Sequence, residues 1–220
     1  MKVKPTRAAS DRYAAFNIAN LMAIQQRERL LAEMLARRGM KDLRDMEILD
    51  VGCGWGSFFL RLILWGALPS SLHGIDLLPD RVSVARARHP SFDVVEGSAT
   101  KLPWENGRFD MVTQFTTFSS ILSVDDRRSS AAEIDRVLRP TGLLIWYDFW
   151  LNPSNPGTHP ITVAQLSALF PRYERDVRRV TLAPPIARAI APRSRILASV
   201  LQEVWALKSH LLGVLVKPNG

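Results

Sequence analysis

The sequence predicts a single α/β domain: a seven-stranded, mostly parallel sheet with helices on both faces, plus an N-terminal helix and a helical insertion before the last strand. Three observations predict it. Apolar segments of strand length alternate with amphipathic segments of helix length through the middle of the chain. Three glycines at alternate positions, Gly52, Gly54 and Gly56, follow directly on the apolar run 47–51. A further strand-like run ends in Asp76, about 20 residues beyond the last of these glycines, as a βαβ unit requires.

The elements follow in order. Residues 11–38 read as a helix with an apolar stripe through Ile18, Leu21, Met22, Leu30, Leu31, Met34 and Leu35, and Gly39 stops it. A first strand is predicted at 47–51 and a helix at 57–65. A second strand follows at 72–75 with a helix at 79–88, a third strand at 93–96, a fourth at 111–115 with a helix at 127–138, and a fifth at 143–149. Right-handed crossovers between such units put ligands at the carboxyl ends of the strands. The repetition then breaks. A loop rich in Pro, Asn and Gly covers 151–160, a helix 162–169 and a strand 177–182. The segment 184–208 is helical and inserted, and the last strand lies at 211–216. At 220 residues one domain suffices. It divides into an N-terminal helix at 11–38, a ligand-binding core at 45–150 and a C-terminal part at 151–220.

The glycines carry the first chemical statement. They form G-x-G-x-G, whereas the dinucleotide fingerprint G-x-G-x-x-G would place its third glycine at position 57, which is Ser57. This disfavours NAD. A Cβ at Gly52 or Gly54 would occupy space that a close-approaching ligand needs. The carboxylate of Asp76, at the end of the second strand, can accept both hydroxyls of a ribose.

Further motifs lie downstream at fitting distances: G-S-A-T-K-L-P at 97–103, F-D-M-V at 109–112 and R-V-L-R-P-T-G at 136–142. Together with D-V-G-C-G-W-G at 50–56, they make the region 45–150 resemble class I S-adenosylmethionine-dependent methyltransferases of the small-molecule, type 11-like branch. The resemblance implies a Rossmann-like fold and S-adenosyl-L-methionine as cofactor. It implies that Asp50 orients the glycine turn, with Gly52, Cys53 and Gly54 beside the methionine part. Asp76 would hold the ribose and Leu77 would flank the adenine, with Ser98 and Ala99 at the adenine edge. Gln114 and Phe115 would lie near the methionine carboxylate and the acceptor. Many members carry Asp where this chain has Ser98, which implies weaker selection of the adenine amino group. The final two strands would form an antiparallel hairpin, the part 151–220 with its insertion would shape the acceptor pocket, and the helix 11–38 would be a lid, with Tyr13 and Asn17 as lid residues.

Composition bounds the partners. The formal charge is +8, with arginines thickening toward the end of the chain, but no aromatic-interleaved basic block accompanies them. An arginine-rich solvated surface is the plain reading, and nucleic acid is not expected. One cysteine, Cys53, excludes an internal disulfide and a cysteine-rich metal site. The N-terminus shows no apolar signal region, and the apolar stretch 58–68 is interrupted by Arg61 and too short for a bilayer. A soluble, cytoplasmic protein is expected, with the oligomeric state open.

Three absences narrow the acceptor. The place after the fourth strand reads T-Q-F-T-T-F rather than [DN]-P-P-[YF], no cysteine lies near it, and no carboxylate or histidine cluster offers a metal site. This leaves glycan, polyketide, quinone or lipid acceptors. The runs T-L-A-P-P-I at 181–186 and W-Y-D-F-W-L-N-P-S-N-P at 146–156 are similar to bacterial methyltransferases of glycan or secondary-metabolite synthesis, which implies a hydroxyl oxygen as acceptor. His159, in the loop after the fifth strand, is then the leading general base, with Asp148 and Tyr147 as alternatives. His73 and His89 are read as structural, and His210 has no assigned role. Two other readings stay open. One is a cofactor-binding module without catalysis. In the other, the arginine-rich insertion, with Ile186, Ile190, Ile196, Leu197 and Trp205, lies on anionic lipid and takes a lipid-linked acceptor.

Overall fold

The computed structural model describes residue 14 and residues 16–151 and 158–219. Tyr13 lies outside them. The elements are α1 (Ile18–Ala36), β1 (Ile48–Val51), α2 (Phe59–Leu64), β2 (Leu72–Asp76), α3 (Pro79–Arg88), β3 (Asp93–Glu96), β4 (Phe109–Phe115), α4 (Val124–Val137), β5 (Leu138–Phe149), α5 (Val163–Leu169), β6 (Glu174–Leu182), α6 (Pro184–Ile190), α7 (Arg195–Glu203) and β7 (Lys208–Val216). The seven strands form one sheet in the order β3-β2-β1-β4-β5-β7-β6, with β7 antiparallel to both β5 and β6. Both the sheet and its antiparallel end are as the sequence predicts.

The order reverses direction between β1 and β4, so the crevice of an open α/β sheet falls at the carboxyl ends of these two strands. Helices cover both faces there, which is why β1 and β2 are buried along their whole length. Gly74 in the middle of β2 makes one close packing contact. A Cβ there would come 2.7 Å from the Phe59 ring and 2.9 Å from Cys53 Sγ, so the glycine lets α2 and the turn before it press onto the sheet. One core cluster joins Leu31, Met34 and Leu35 of α1 with Phe59 and Leu62 of α2. On the other face, Ile134 of α4 and Leu166 of α5 pack with Trp146.

The helix α1 follows the predicted stripe in its second half but not its first. Leu31, Met34 and Leu35 are buried, Leu21 is exposed, and Gln26 is buried in its place. The Gln26 side chain accepts the Thr181 N–H at 3.0 Å and donates to the Gln202 carbonyl at 3.1 Å, tying α1 to β6 and α7. Asn17 caps α1 by accepting the Asn20 N–H at 3.2 Å. Strands β5, β6 and β7 begin earlier than the apolar runs suggest. The register slips between Phe109 and Met111 as β5 begins, and Thr141 there has a φ of 62°. Because β6 runs parallel to β5, its end and the start of β7 lie at the crevice edge, and the insertion α6–α7 is placed there.

Candidate functional site

The turn after β1 is built for close approach. Gly52, Gly54 and Gly56 have φ of 76°, 57° and 73°, a left-handed backbone that glycine adopts without strain. The N–H groups of Gly52 and Cys53 both donate to the Ile75 carbonyl, at 2.8 and 3.0 Å. Asp76 completes the turn: one carboxylate oxygen accepts the Gly54 N–H and the other the Leu78 N–H, each at 2.9 Å. A carboxylate has about four acceptor positions, so two remain for a diol. A Cβ on Gly52 would strike Thr117 Oγ1 at 2.2 Å, whereas one on Gly54 would meet nothing within 4 Å and project into open space. The Cys53 side chain turns away toward Gly74, and burial, with Asp50 and Asp76 nearby, pushes its thiol far above the usual range.

Two cavities flank Gly52. One, of about 500 Å³, is lined by Arg27, Asp50, Gly52, Cys53, Gly54 and Phe58 among others. The second, of about 760 Å³, is lined by Asp76, Leu77, Ser98, Ala99, Ile121 and their neighbours. Gly52, Arg81 and Phe115 line both, so the two spaces meet at the glycine turn. Nine of the ten predicted cofactor residues line one or both of these spaces, and Gln114 is the exception. Leu77 is exposed at the rim, while Gln114 is fully buried. Gln114 points to the other face of the sheet, toward Asp148 at 3.5 Å, and lines neither cavity. Ser98 Oγ lies 2.8 Å from Thr100 Oγ1 and also accepts the Thr100 N–H. Thr116, at the lip of the second cavity, holds a φ of 58°, a strained value for a β-branched residue.

Electrostatics divide the first cavity. Asp50 is buried and accepts the Thr113 hydroxyl at 2.7 Å, and its burial pushes the carboxyl up to about 7. Opposite in charge stands Arg27 of α1, its guanidinium 4.9 Å from the Phe115 ring centre and 5.1 Å from that of Tyr147. Its Nε is buried without a hydrogen-bond partner, and Glu28 is 3.9 Å from its terminal nitrogen. No motif names Arg27. A signal was present: Gln26 and Arg27 precede Leu30 and Leu31 by four residues and so interrupt the apolar stripe on its own face.

The structure does not bring the three candidate bases into these cavities. Asp148 is fully buried and accepts the N–H groups of Ser119 and Phe149, and burial raises its carboxyl to about 6. Tyr147 lies behind Phe115, its hydroxyl 2.8 Å from Thr181 Oγ1 and its ring stacked on His210 at 4.8 Å. His159 is exposed and joined to the site through its backbone N–H, which donates to Ser119. His73 is structural as expected, with Glu47 and Asp93 on its two ring nitrogens. Among the described residues, no group of His, Cys, Asp and Glu could hold a metal ion.

The sheet order, the pinned glycine turn and the two cavities meeting at it have the form of a class I S-adenosylmethionine-dependent methyltransferase domain, whose cofactor is S-adenosyl-L-methionine. Residues 48–142 match the family described as the methyltransferase domain. Relatives include a demethylmenaquinone methyltransferase of Staphylococcus aureus (strain MRSA252), 29% identical over 74% of this chain and 64% of its own length. Another is a phthiotriol/phenolphthiotriol dimycocerosates methyltransferase of Mycobacterium ulcerans (strain Agy99), 34% identical over 52% of this chain and 41% of its own. A demethylmenaquinone methyltransferase of Chlorobaculum tepidum matches at 29% identity over 45% of its length, so the chain spans about half the length of such relatives. Among solved structures, the PH0226 protein of Pyrococcus horikoshii OT3 shares the fold with a TM-score of 0.67 at 16% identity, over 99% of this chain and 100% of that one. The [4+2]-cyclase SpnF superposes with a TM-score of 0.63 at 20% identity, over 88% and 81% of the two chains. A cyclase on this fold means the fold alone does not fix a reaction.

Proposed function

We propose that the protein is an S-adenosylmethionine-dependent methyltransferase whose acceptor is an apolar small molecule of the quinone or lipid kind. The observation that carries the cofactor part is that Arg27 and Asp50, of opposite charge, line the first cavity, with the Asp76 carboxylate in the second. An α-amino acid zwitterion, a ribose diol and an adenine in sequence would find a cation and an anion, a carboxylate with free acceptor positions, and the Ser98–Ala99 edge. When bound, the cofactor supplies a methyl group on a sulfonium. The chain's part is to hold that methyl in line with an acceptor and to keep water out. Phe58 and Phe115, with ring centres 4.2 Å apart, wall the first cavity with carbon, and α1 closes over it through Arg27.

The relatives' names support a quinone or lipid acceptor over the glycan suggested by the sequence. The aromatic wall is consistent with this. The test is calorimetric titration with S-adenosylmethionine, followed by transfer of a labelled methyl group to a demethylated naphthoquinol and, in parallel, to a sugar hydroxyl. One-site binding with label in the quinol is the expected result. Label only in the sugar would overturn the acceptor, and absence of binding would overturn the cofactor.

A further inference from the structure

Helix α7 is turned inside out for a helix on a domain surface. Its buried residues are Ala198 and Gln202, one small and one polar. The opposite side carries Ile196, Val200 and Val204, four residues apart along one stripe, with Leu197 beside them and Trp205 just beyond. Ile196 is 81% exposed, Val200 59% and Trp205 66%. A contiguous exposed apolar patch marks a surface that meets something. The charges around it are positive: the segment 184–207 holds Arg188, Arg193 and Arg195 against one acid, Glu203. That acid is turned toward Arg29 at 3.7 Å and Lys208 at 3.9 Å. A further cation, Arg179, stacks between Trp150 at 4.0 Å and Trp205 at 4.7 Å.

We propose that the outer face of α7, with Trp205 and the arginines at 188, 193 and 195, docks on the surface of an anionic lipid bilayer. The apolar stripe would enter the acyl boundary, Trp205 would lie at the interface, and the arginine heads would meet lipid phosphates while their stems cover carbon. Charge decides the occupant. A second copy of the chain would present the same arginines, and like charges across an interface are costly. The insertion follows the end of β6 and so lies at the same end of the sheet as the crevice, and Arg179 joins Trp205 to Trp150 just after β5. A bilayer on this face would lie at the same end of the sheet as the crevice, which would shorten the path of an apolar acceptor from lipid to protein. The docking needs neither acceptor nor methyl transfer, so it stands or falls apart from the proposed reaction.

Flotation of the full chain with vesicles tests it. Phosphatidylcholine vesicles containing phosphatidylglycerol are expected to carry the protein, with partitioning that weakens as salt rises, and vesicles of phosphatidylcholine alone are expected to carry much less. Ile196→Asp with Val200→Asp is expected to lower partitioning by about tenfold or more, with affinity for S-adenosylmethionine unchanged as proof of folding. Arg193→Gln with Arg195→Gln changes only exposed side chains and should remove the preference for the anionic vesicles. Failure of the unaltered chain to float, or flotation indifferent to both pairs of substitutions, overturns the proposal. So does a solution dimer that dissociates on Ile196→Asp with Val200→Asp, because the face would then belong to a second copy.

Discussion

At the residue scale, Arg27 links packing to binding. A guanidinium held among Phe58, Phe115 and Tyr147 with a buried, unpaired Nε lacks part of its solvation, which a ligand carboxylate reaching its terminal nitrogens would restore. Arg27→Met keeps the stem and removes the charge. It should weaken S-adenosylmethionine binding about ten- to a hundredfold, with an unchanged or higher melting temperature for the free protein. Arg27→Lys should recover part of the affinity, since a point charge does not reproduce the planar fork. Calorimetry reads both, and equal affinity in Arg27→Met would remove this residue from the site. Asp76 carries a double role, because its oxygens already hold the Gly54 and Leu78 N–H groups. Asp76→Ala should therefore lose cofactor affinity by about a hundredfold and also cost about 1 to 3 kcal/mol of stability. Binding lost at unchanged stability would separate the two roles. The glycines and Asp76 were legible in the sequence because a left-handed turn and a strand-end carboxylate each require particular residue types. Arg27 showed only as a break in the apolar stripe, because its role arises when the fold brings its guanidinium against the rings of Phe115 and Tyr147.

At the element scale, Gln26 couples the N-terminal helix to the insertion. Its amide bridges the Thr181 N–H and the Gln202 carbonyl, and Thr181 itself holds a φ of 66°. Gln26→Ala leaves a buried N–H without its partner, which costs about 1 to 3 kcal/mol. The expected result is faster amide hydrogen exchange in 184–203 and at Thr181, with β1 and β2 unchanged. Uniform loss of protection across the sheet would mean that the bridge supports the whole domain rather than the insertion. The same region shows where the sequence falls short. The central strands are legible because they are buried on both faces and read as apolar runs. The first three residues of β6, E-R-D, lie outside the strand read from the sequence, and only their pairing with β7 extends it to them. Gln26 was hidden for a related reason: an apolar-stripe reading passes over a polar residue whose partners lie more than a hundred residues away in the chain.

At the scale of the whole molecule, buried carboxyls give stability a pH dependence that reports on the cofactor site. Asp50 has its carboxyl raised to about 7 by burial, so in the folded protein it keeps a proton that the unfolded chain releases near its ordinary value of 3.8. The sign follows. This contribution is fully present below the unfolded value and is lost as pH rises through about 7, at about 1.4 kcal/mol per pH unit across the window. His210 slopes the other way: burial lowers it to about 3, so its contribution is present above the ordinary 6.5 and is lost as pH falls toward 3. Asp148, raised to about 6, adds to the Asp50 slope in the lower part of the window. Asp50→Asn isolates one term, because the amide oxygen can still accept the Thr113 hydroxyl while His210 and Asp148 are common to both proteins. The variant should gain on the parent by about 2 to 4 kcal/mol between pH 4 and about pH 8 in denaturant titrations of the free protein. Cofactor affinity should move the opposite way. An ionised Asp50 attracts the ammonium of the methionine part and a neutral one does not, so the parent's affinity should rise as pH passes through about 7 while that of Asp50→Asn stays flat. A stability difference that is constant from acid to neutral pH would mean that Asp50 is ionised throughout. Flat affinity in the parent would then take the ammonium away from this carboxylate and leave Arg27 and Asp76 to hold the ligand.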